Sequence, residues 1–496
     1  MTIPVVQGVA VDSPQPYQSY GHQQTQHQQQ QAPLYPQATA PQEEYGTGAS
    51  NFLDGKIYTP QELQEVRQSP KKQFQDVFWA VLFWMHLAGI IGFCVMNLAT
   101  GNGAQAQGGL QLGDILFVSG VCGLVALGLS TVSLQLMQSM PEAMVQYALI
   151  FSCLLNLVMA FFAFVAGNIV VAGFGLLAFA ISCCYAYAVW HRIPYAAVNL
   201  KIALTGVKAN MGLTFVAFIF MALGFGWSIL WFMGLGNSLD GSSLVVVFFL
   251  FLSYYWTHEV LKNTMHVTSA GVIGTWWFAP AEANRFWAPA LSDSLFRAVT
   301  YSFGSICLGS LLVAIIRSLR ALEHYTRENE DFAIVRCVIQ CILSCIESII
   351  EYMNRWAYVY VGLYGFNYIE AGRNVITLFQ NKGWSSIIAD DLASNVLLMI
   401  SIGIGVATGL VGMLIGWSDP NLFSALGFQN GSGPGFLVGF LVGFLFASVY
   451  LGVVDSAITT VIVCYAEAPA EFQMNHPELA AELAEAWAKA WPGLMG

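Results

Sequence analysis

Residues 251–278, FLSYYWTHEVLKNTMHVTSAGVIGTWWF, carry His258, Glu259, Lys262, Asn263 and His266 in a segment of membrane-span length that follows an uninterrupted apolar run. Ionisable side chains inside a bilayer are costly, and they persist mainly where they face protein or a water-filled path. Tyr255, Glu259 and Asn263 recur at four-residue spacing and His266 follows three later, so the four form one helical stripe. Tyr254, Trp256, Trp276 and Trp277 frame it. A carboxylate beside aromatic faces suits an organic cation: the acid neutralises the charge and the rings add cation–π attraction. The same residues also fit a local Glu259–Lys262 ion pair set in an interfacial aromatic belt. The spacing alone leaves both open.

A second set lies at 345–365, CIESIIEYMNRWAYVYVGLYG. Glu347 and Glu351 are one turn apart, and Glu351 precedes Arg355 by four residues, a favourable helix pair. Trp356, Tyr358, Tyr360 and Tyr364 then run up to Gly365. This fits an ion-paired boundary with an aromatic belt, or a gate and the lower wall of a cation cavity. Asp455 has no partner within its own helix, so it is either a proton or cation relay or the hydrogen-bonded partner of another span. His86 is expected to be a core histidine with its hydrogen bonds satisfied, and Asp114 a boundary residue. Glycines at four-residue spacing, Gly405 and Gly409, Gly412 and Gly416, then Gly435, Gly439 and Gly443, let helices approach closely and could act as sliding surfaces.

These residues sit in a chain of 496 residues that is 56% hydrophobic and only 9% charged. A soluble domain carries about 25% charged residues, so the body is an all-α polytopic membrane protein. The net charge of −11 comes without a basic patch, so nucleic acid is not an expected partner, whereas membrane lipids are. The ten cysteines show no metal spacing and lie mostly in apolar runs; Cys337, Cys341 and Cys345 share one face where acylation is the alternative to plain packing. No P-loop, catalytic triad, zincin motif or dinucleotide fingerprint occurs, so neither an enzyme nor a metal or cofactor is expected.

Residues 1–50, rich in Gln and Pro, are expected to form a disordered cytosolic tail, and 51–76 a juxtamembrane polar segment with a short helix capped by Thr59. The transmembrane domain is expected over 77–466, with about ten spans near 77–99, 114–137, 142–166, 169–190, 209–234, 243–267, 295–318, 332–365 (interrupted), 391–416 and 435–464. An even count puts both ends on one side, and Lys56, Arg67, Lys71 and Lys72 before the first span make that side cytosolic. One conflict stands: alternation puts the loop at 319–331 outside, yet Arg317, Arg320, Arg327 and Arg336 argue for inside. Either 332–352 lies at the interface or a neighbouring segment is re-entrant. Residues 467–496 are expected to hold a cytosolic amphipathic helix begun by Pro477. Asn430-Gly-Ser is an N-glycosylation sequon in a loop placed outside.

Four motifs, YYWTHEVLKNTMHVTSAGVIGTWWF (254–278), YSFGSICLGSLLVAIIRSLR (301–320), ESIIEYMNRWAYVYVGLYG (347–365) and DSAITTVIVCYAEAPAEF (455–472), resemble the choline transporter-like family, solute carrier family 44, over roughly 70–496. Fungal pH-nine-sensitive and plant or algal members are the nearest in pattern. The chain lacks the large loop that animal members carry between the first two spans, and it reads Glu467-Ala468 where the family pattern has an acidic pair. The resemblance implies ten spans, cytosolic termini, the plasma membrane, and movement of choline or a related amine. On that reading Trp256, Trp276, Tyr301 and Tyr358 are expected to form an aromatic cage, Glu259 to supply the charge and Asn263 to meet the substrate hydroxyl. Glu347, Glu351 and Arg355 are expected at a gate, and His266 or Asp455 to carry a coupling proton. The rival is a non-transporting membrane scaffold acting in trafficking or lipid homeostasis, with the Gln/Pro-rich tail binding partners. Oligomeric state is not legible.

Overall fold

The computed structural model describes residues 57–68, 72–99, 112–235, 244–325, 333–382, 385–419, 422–423 and 430–490. The tail expected over 1–50 lies outside the described residues, as do the loops 100–111 and 326–332. Sixteen α-helices fill the described part, and no strand occurs there. The chain is an all-α polytopic membrane protein: nine segments of the described residues are long and apolar enough to cross a bilayer.

The helices are α1 (Pro60–Gln68), α2 (Val77–Ala99), α3 (Leu112–Ser139), α4 (Pro141–Val165), α5 (Ile169–Val189), α6 (Ile193–Ala209), α7 (Gly212–Leu235) and α8 (Leu244–Phe278). They continue with α9 (Pro289–Val299), α10 (Phe303–Tyr325), α11 (Ala333–Tyr364), α12 (Tyr368–Lys382), α13 (Ser385–Ser418), α14 (Ser432–Glu467), α15 (Pro469–Asn475) and α16 (Pro477–Ala490). Short hydrogen bonds gather several helix ends at one face. Gln75 N–H donates to the Tyr301 carbonyl at 2.8 Å and Tyr368 N–H to Asp76 at 2.9 Å, joining the starts of α2 and α10 to the end of α11. Asn210 donates to the Ala283 carbonyl at 2.7 Å, and Trp277 Nε1 to the Ala468 carbonyl at 3.1 Å. The start of α7, the end of α8 and the end of α14 therefore share that face too. With the described chain ends on it, it is called the terminal face here, and its counterpart the far face.

Among the described residues α2 to α5, α7, α8, α10, α13 and α14 hold the segments long and apolar enough to cross a bilayer, and α11 runs beside them between the two faces. The mostly buried α6, which apolar composition joins to α5 in one segment, begins and ends at the terminal face. Three expected boundaries change. The span expected at 243–267 runs on to Phe278, so Trp276 and Trp277 sit at its terminal-face end. The span expected at 295–318 is two elements, the short amphipathic α9 and the crossing helix α10, parted by a turn at Thr300–Ser302. The interruption expected in 332–365 is absent: α11 is one helix of 32 residues, about 48 Å at 1.5 Å per residue. Of the four arginines that raised the conflict, Arg317 and Arg320 are not loop charges, because they point back to carboxylates on α8 and α11.

Two backbone features position the rest. Gly365 adopts φ +70°, the left-handed conformation that ends α11 and turns the chain into α12. Along α13 and α14, a Cβ on Gly412 would lie 2.1 Å from the Gly435 carbonyl oxygen, so backbone touches backbone there.

Candidate functional site

The polar residues of the membrane region line a seam where α8, α10, α11 and α14 meet, in three steps from the far face inward. The outermost is a charge cluster. Glu259 of α8 is 3% exposed and accepts from Arg317 Nη1 of α10. The same guanidinium gives Nε to Glu347 at 2.8 Å and Nη2 to Glu351, both on α11. Arg320 takes the other Glu347 oxygen. Lys262, the partner expected from local spacing, stands 3.7 Å from Glu259 with its side chain 63% exposed, so Arg317 rather than Lys262 neutralises this acid. A groove of about 400 Å³ opens beside the cluster, lined by Tyr255, Arg317, Arg320, Ala321, Gln340 and Glu347.

The middle step is neutral. Asn263 donates to Ser310 at 3.0 Å and lies 3.4 Å from Glu259. Ser310 is 3.5 Å from the fully buried Tyr358 hydroxyl, which donates to the Ile306 carbonyl at 3.1 Å. Gly309 makes room, since a Cβ there would run into the Tyr358 ring and hydroxyl. Asn354 donates to the Gly309 carbonyl at 2.8 Å and accepts from the Tyr368 hydroxyl.

The innermost step pairs Arg355 with Asp455 at 2.5 Å across α11 and α14. Ser394 of α13 donates to the same carboxylate at 3.0 Å, and Arg355 Nε donates to Thr459 at 2.8 Å. His266 Nε2 faces the Arg355 carbonyl at 2.9 Å and Nδ1 faces the Ser456 hydroxyl at 2.7 Å. A carbonyl only accepts, so Nε2 carries the proton and Nδ1 is left to accept from the serine. The Asp455 side chain keeps a third of its surface exposed, unlike Glu259. A carboxylate so placed needs water rather than lipid beside it.

Below this step the seam ends at the terminal face. Tyr360 and Tyr364 both donate their hydroxyls to Glu467 at the end of α14. Phe366 stacks on Tyr364 at 5.3 Å, and Tyr58 of the leader stacks on Phe366 at 4.6 Å while donating to Glu370 at 2.7 Å. Glu467, the acid that stands before Ala468, thus has two dedicated partners.

The expected residues divide accordingly. Glu259, Asn263, Tyr358, His266, Glu347, Glu351, Arg355 and Asp455 all lie on the seam. Trp256, Trp276 and Tyr301 do not join Tyr358 in a cage. Trp256 and Trp276 are twenty residues apart on one straight element, about 30 Å. Trp256 donates to the Cys307 carbonyl at 3.0 Å and stacks on His86. Trp276 packs on His476 at 4.2 Å, and Tyr301 packs on Phe74 at 5.1 Å, both at the terminal face. The Glu351–Arg355 pair expected within α11 gives way to two pairs across helices, Glu351 with Arg317 and Arg355 with Asp455. His86 is not the satisfied core histidine expected: its buried ring nitrogens form no well-shaped hydrogen bond, the nearest polar group being the Phe83 carbonyl one turn back. Sequence reasoning missed Arg317 as a site residue. Its signal was there: a basic pair ending one apolar run, answered by an acidic pair in the next, across a short connection. Among the described residues no side-chain set is arranged to hold a metal ion.

A family model described as plasma-membrane choline transporter matches residues 173–470, from within α5 to α15, and so covers every helix of the seam. The chain is 29% identical over 407 residues to Protein PNS1 of Mycosarcoma maydis, covering 76% of this chain and 75% of that one. It is 27% identical over 387 residues to Protein PNS1 of Candida albicans, covering 69% and 73%. It is 26% identical over 376 residues to a CTL-like protein of Dictyostelium discoideum, covering 71% and 66%.

Proposed function

Because the chain belongs to the plasma-membrane choline transporter family, we propose that it moves choline or a closely related small organic amine along the seam between α8, α10, α11 and α14 by alternating access. The observation that carries this reading is the continuity of the polar steps. A buried carboxylate, Glu259, leads through Asn263, Ser310 and Tyr358 to a partly exposed carboxylate, Asp455.

A trimethylammonium offers no donor, so its recognition rests on negative charge and on aromatic or oxygen-lined surface. Glu259 and Asp455 supply the charge, Tyr255 and Tyr358 the aromatic surface nearest the steps, and Asn263 a partner for the hydroxyl. Trp256, Trp276 and Tyr301 have no part in the cage on this geometry. His266 is suited to carry a coupling proton. The Ser456 hydroxyl has a second acceptor in the Gly452 carbonyl at 3.0 Å, so a protonated Nδ1 can donate to the serine once that hydroxyl turns away. The basic residues before α2 support a cytosolic terminal face, and the family description alone supports the plasma membrane as the location.

The test is uptake of radiolabelled choline into proteoliposomes, with and without a pH gradient. Uptake no greater than in empty liposomes, from verified folded protein, would sink the carrier reading. One observation favours the rival scaffold: each acid of the seam already has a protein cation as partner. Glu259→Gln separates the two uses. A substrate site loses uptake at normal folded yield, whereas a structural lock loses folded protein.

A further inference from the structure

The far end of the seam is closed by one side chain. Arg317 spends Nη1, Nε and Nη2 on three different carboxylates, one on α8 and two on α11. A guanidinium has the planar fork for this; an ammonium, a single point charge, does not. The cluster is not sealed. The Arg317 side chain is 28% exposed and that of Glu351 36%, and the groove reaches Arg317 and Glu347 directly. Immediately behind it lies Ser310, 0% exposed and bonded to Asn263. Arg317 is thus the side chain that ties α8, α10 and α11 together where the groove meets the seam.

Resting on the carrier reading above, we propose that Arg317 is the latch of the far-face gate, an internal cation that holds α8, α10 and α11 together when the carrier is empty and yields its carboxylates to the incoming organic cation. The exchange keeps the charge of the cluster. Removing one cation without supplying another would leave buried carboxylates bare, which is strongly unfavourable. Substituting one cation for another avoids that, so the latch opens to cargo of the right sign and stays shut to neutral solutes. Tyr255, on the groove wall one turn before Glu259, gives the arriving cation an aromatic surface at the point of exchange. Arg320 holds Glu347 throughout and acts as the fixed side of the gate.

The test is thiol access behind the latch, which requires no transport. Full-length protein carrying Ser310→Cys is reacted with a neutral, polar maleimide, and labelling of the protein without that substitution is subtracted. The latch predicts slow labelling with Arg317 in place and about tenfold faster labelling with Arg317→Gln, because releasing a closed state raises a minor open population. Arg317→Lys, which keeps the charge but cannot span three carboxylates, should fall between them. Equal rates in folded, monodisperse Arg317→Gln protein overturn the proposal. Should that variant not fold, an unchanged rate in Arg317→Lys overturns it instead. Whether added choline alters the rate is read separately: faster labelling in Arg317→Gln with no response to choline keeps the latch and removes choline as cargo.

Discussion

The two ends of the seam are shut by different chemistry. At the far face, Arg317 and Arg320 meet Glu259, Glu347 and Glu351, and the contact is electrostatic, partly hydrated and beside an open groove. At the terminal face, a single carboxylate, Glu467, is held by two buried phenols and backed by the stack of Tyr364, Phe366 and Tyr58. The first closure can be exchanged for another cation without losing charge balance. The second is held by phenol hydroxyls donating to a carboxylate and must be pulled apart. A carrier built this way would open to its cargo on one side by competition and on the other only when α11 and α14 move as bodies.

The largest expected effect tests the first half of that contrast. Arg317→Gln removes the centre of the charge cluster and should lower stability by about 3 kcal/mol, the range for breaking a buried pair by deleting one partner, read as a fall in the melting midpoint in detergent. A double-mutant cycle with Glu259→Gln should recover part of that loss, with a coupling of about 1–3 kcal/mol. A cycle between Arg317→Gln and Glu467→Gln should be additive, because the two sites sit at opposite ends of α11. Coupling between them larger than about 0.5 kcal/mol would join the two closures into one device.

Next in size is the terminal clamp. Glu467→Ala leaves the Tyr360 and Tyr364 hydroxyls without their acceptor and should cost about 2 kcal/mol, while Glu467→Gln, which keeps an acceptor, should cost less. Raised salt distinguishes the ends again. The exposed edges of the far-face cluster should weaken as the Debye length falls to about 3 Å near 1 M, whereas the phenol clamp should not respond. Smaller still is Tyr58→Ala. It removes the stack on Phe366 and the bond to Glu370, an aromatic pair worth about 1 kcal/mol, and should appear as faster proteolysis of the leader at unchanged global melting.

The difference between the ends also explains what could be read from the chain. Spans α2 to α5, α7, α13 and α14 were legible because twenty apolar residues in a row have one physical meaning. The terminal clamp was half legible: the aromatic run to Gly365 was plain, but its target on α14 lies 103 residues away from Tyr364. The charge cluster was legible in membership and misleading in pairing. Helical spacing reports only neighbours three and four residues apart, so it offered Lys262 to Glu259 and Arg355 to Glu351. The fold uses Arg317 and Asp455 instead, since partners that cross between helices satisfy more of each charge. The aromatic cage failed for a related reason. Residue type marked Trp256, Trp276 and Tyr301, but the length of α8 sets Trp256 apart from Trp276, and Tyr301 lies in the turn before α10.

The smallest expected effect concerns the terminal face and carries its own sign. His476 is half-buried against Trp276 and Phe472, and its Nε2 donates to the Trp276 carbonyl at 3.0 Å. Burial lowers its pKa below the ordinary 6.5, and the hydrogen bond to the carbonyl only partly opposes this. A histidine depressed in the folded state favours folding while it is neutral. Its contribution is therefore complete above the unfolded value and is lost as pH falls from 6.5 through the lower folded value. Docking of α15 on the end of α8 should loosen as pH falls below about 6.5, seen as faster amide exchange in that helix. His476→Asn, which cannot titrate, should flatten the profile. If the far-face cluster loosened over the same interval with His476 replaced, the two ends would share a pH response, and the contrast between an exchangeable charge latch and a phenol clamp would have to be redrawn around a group common to both.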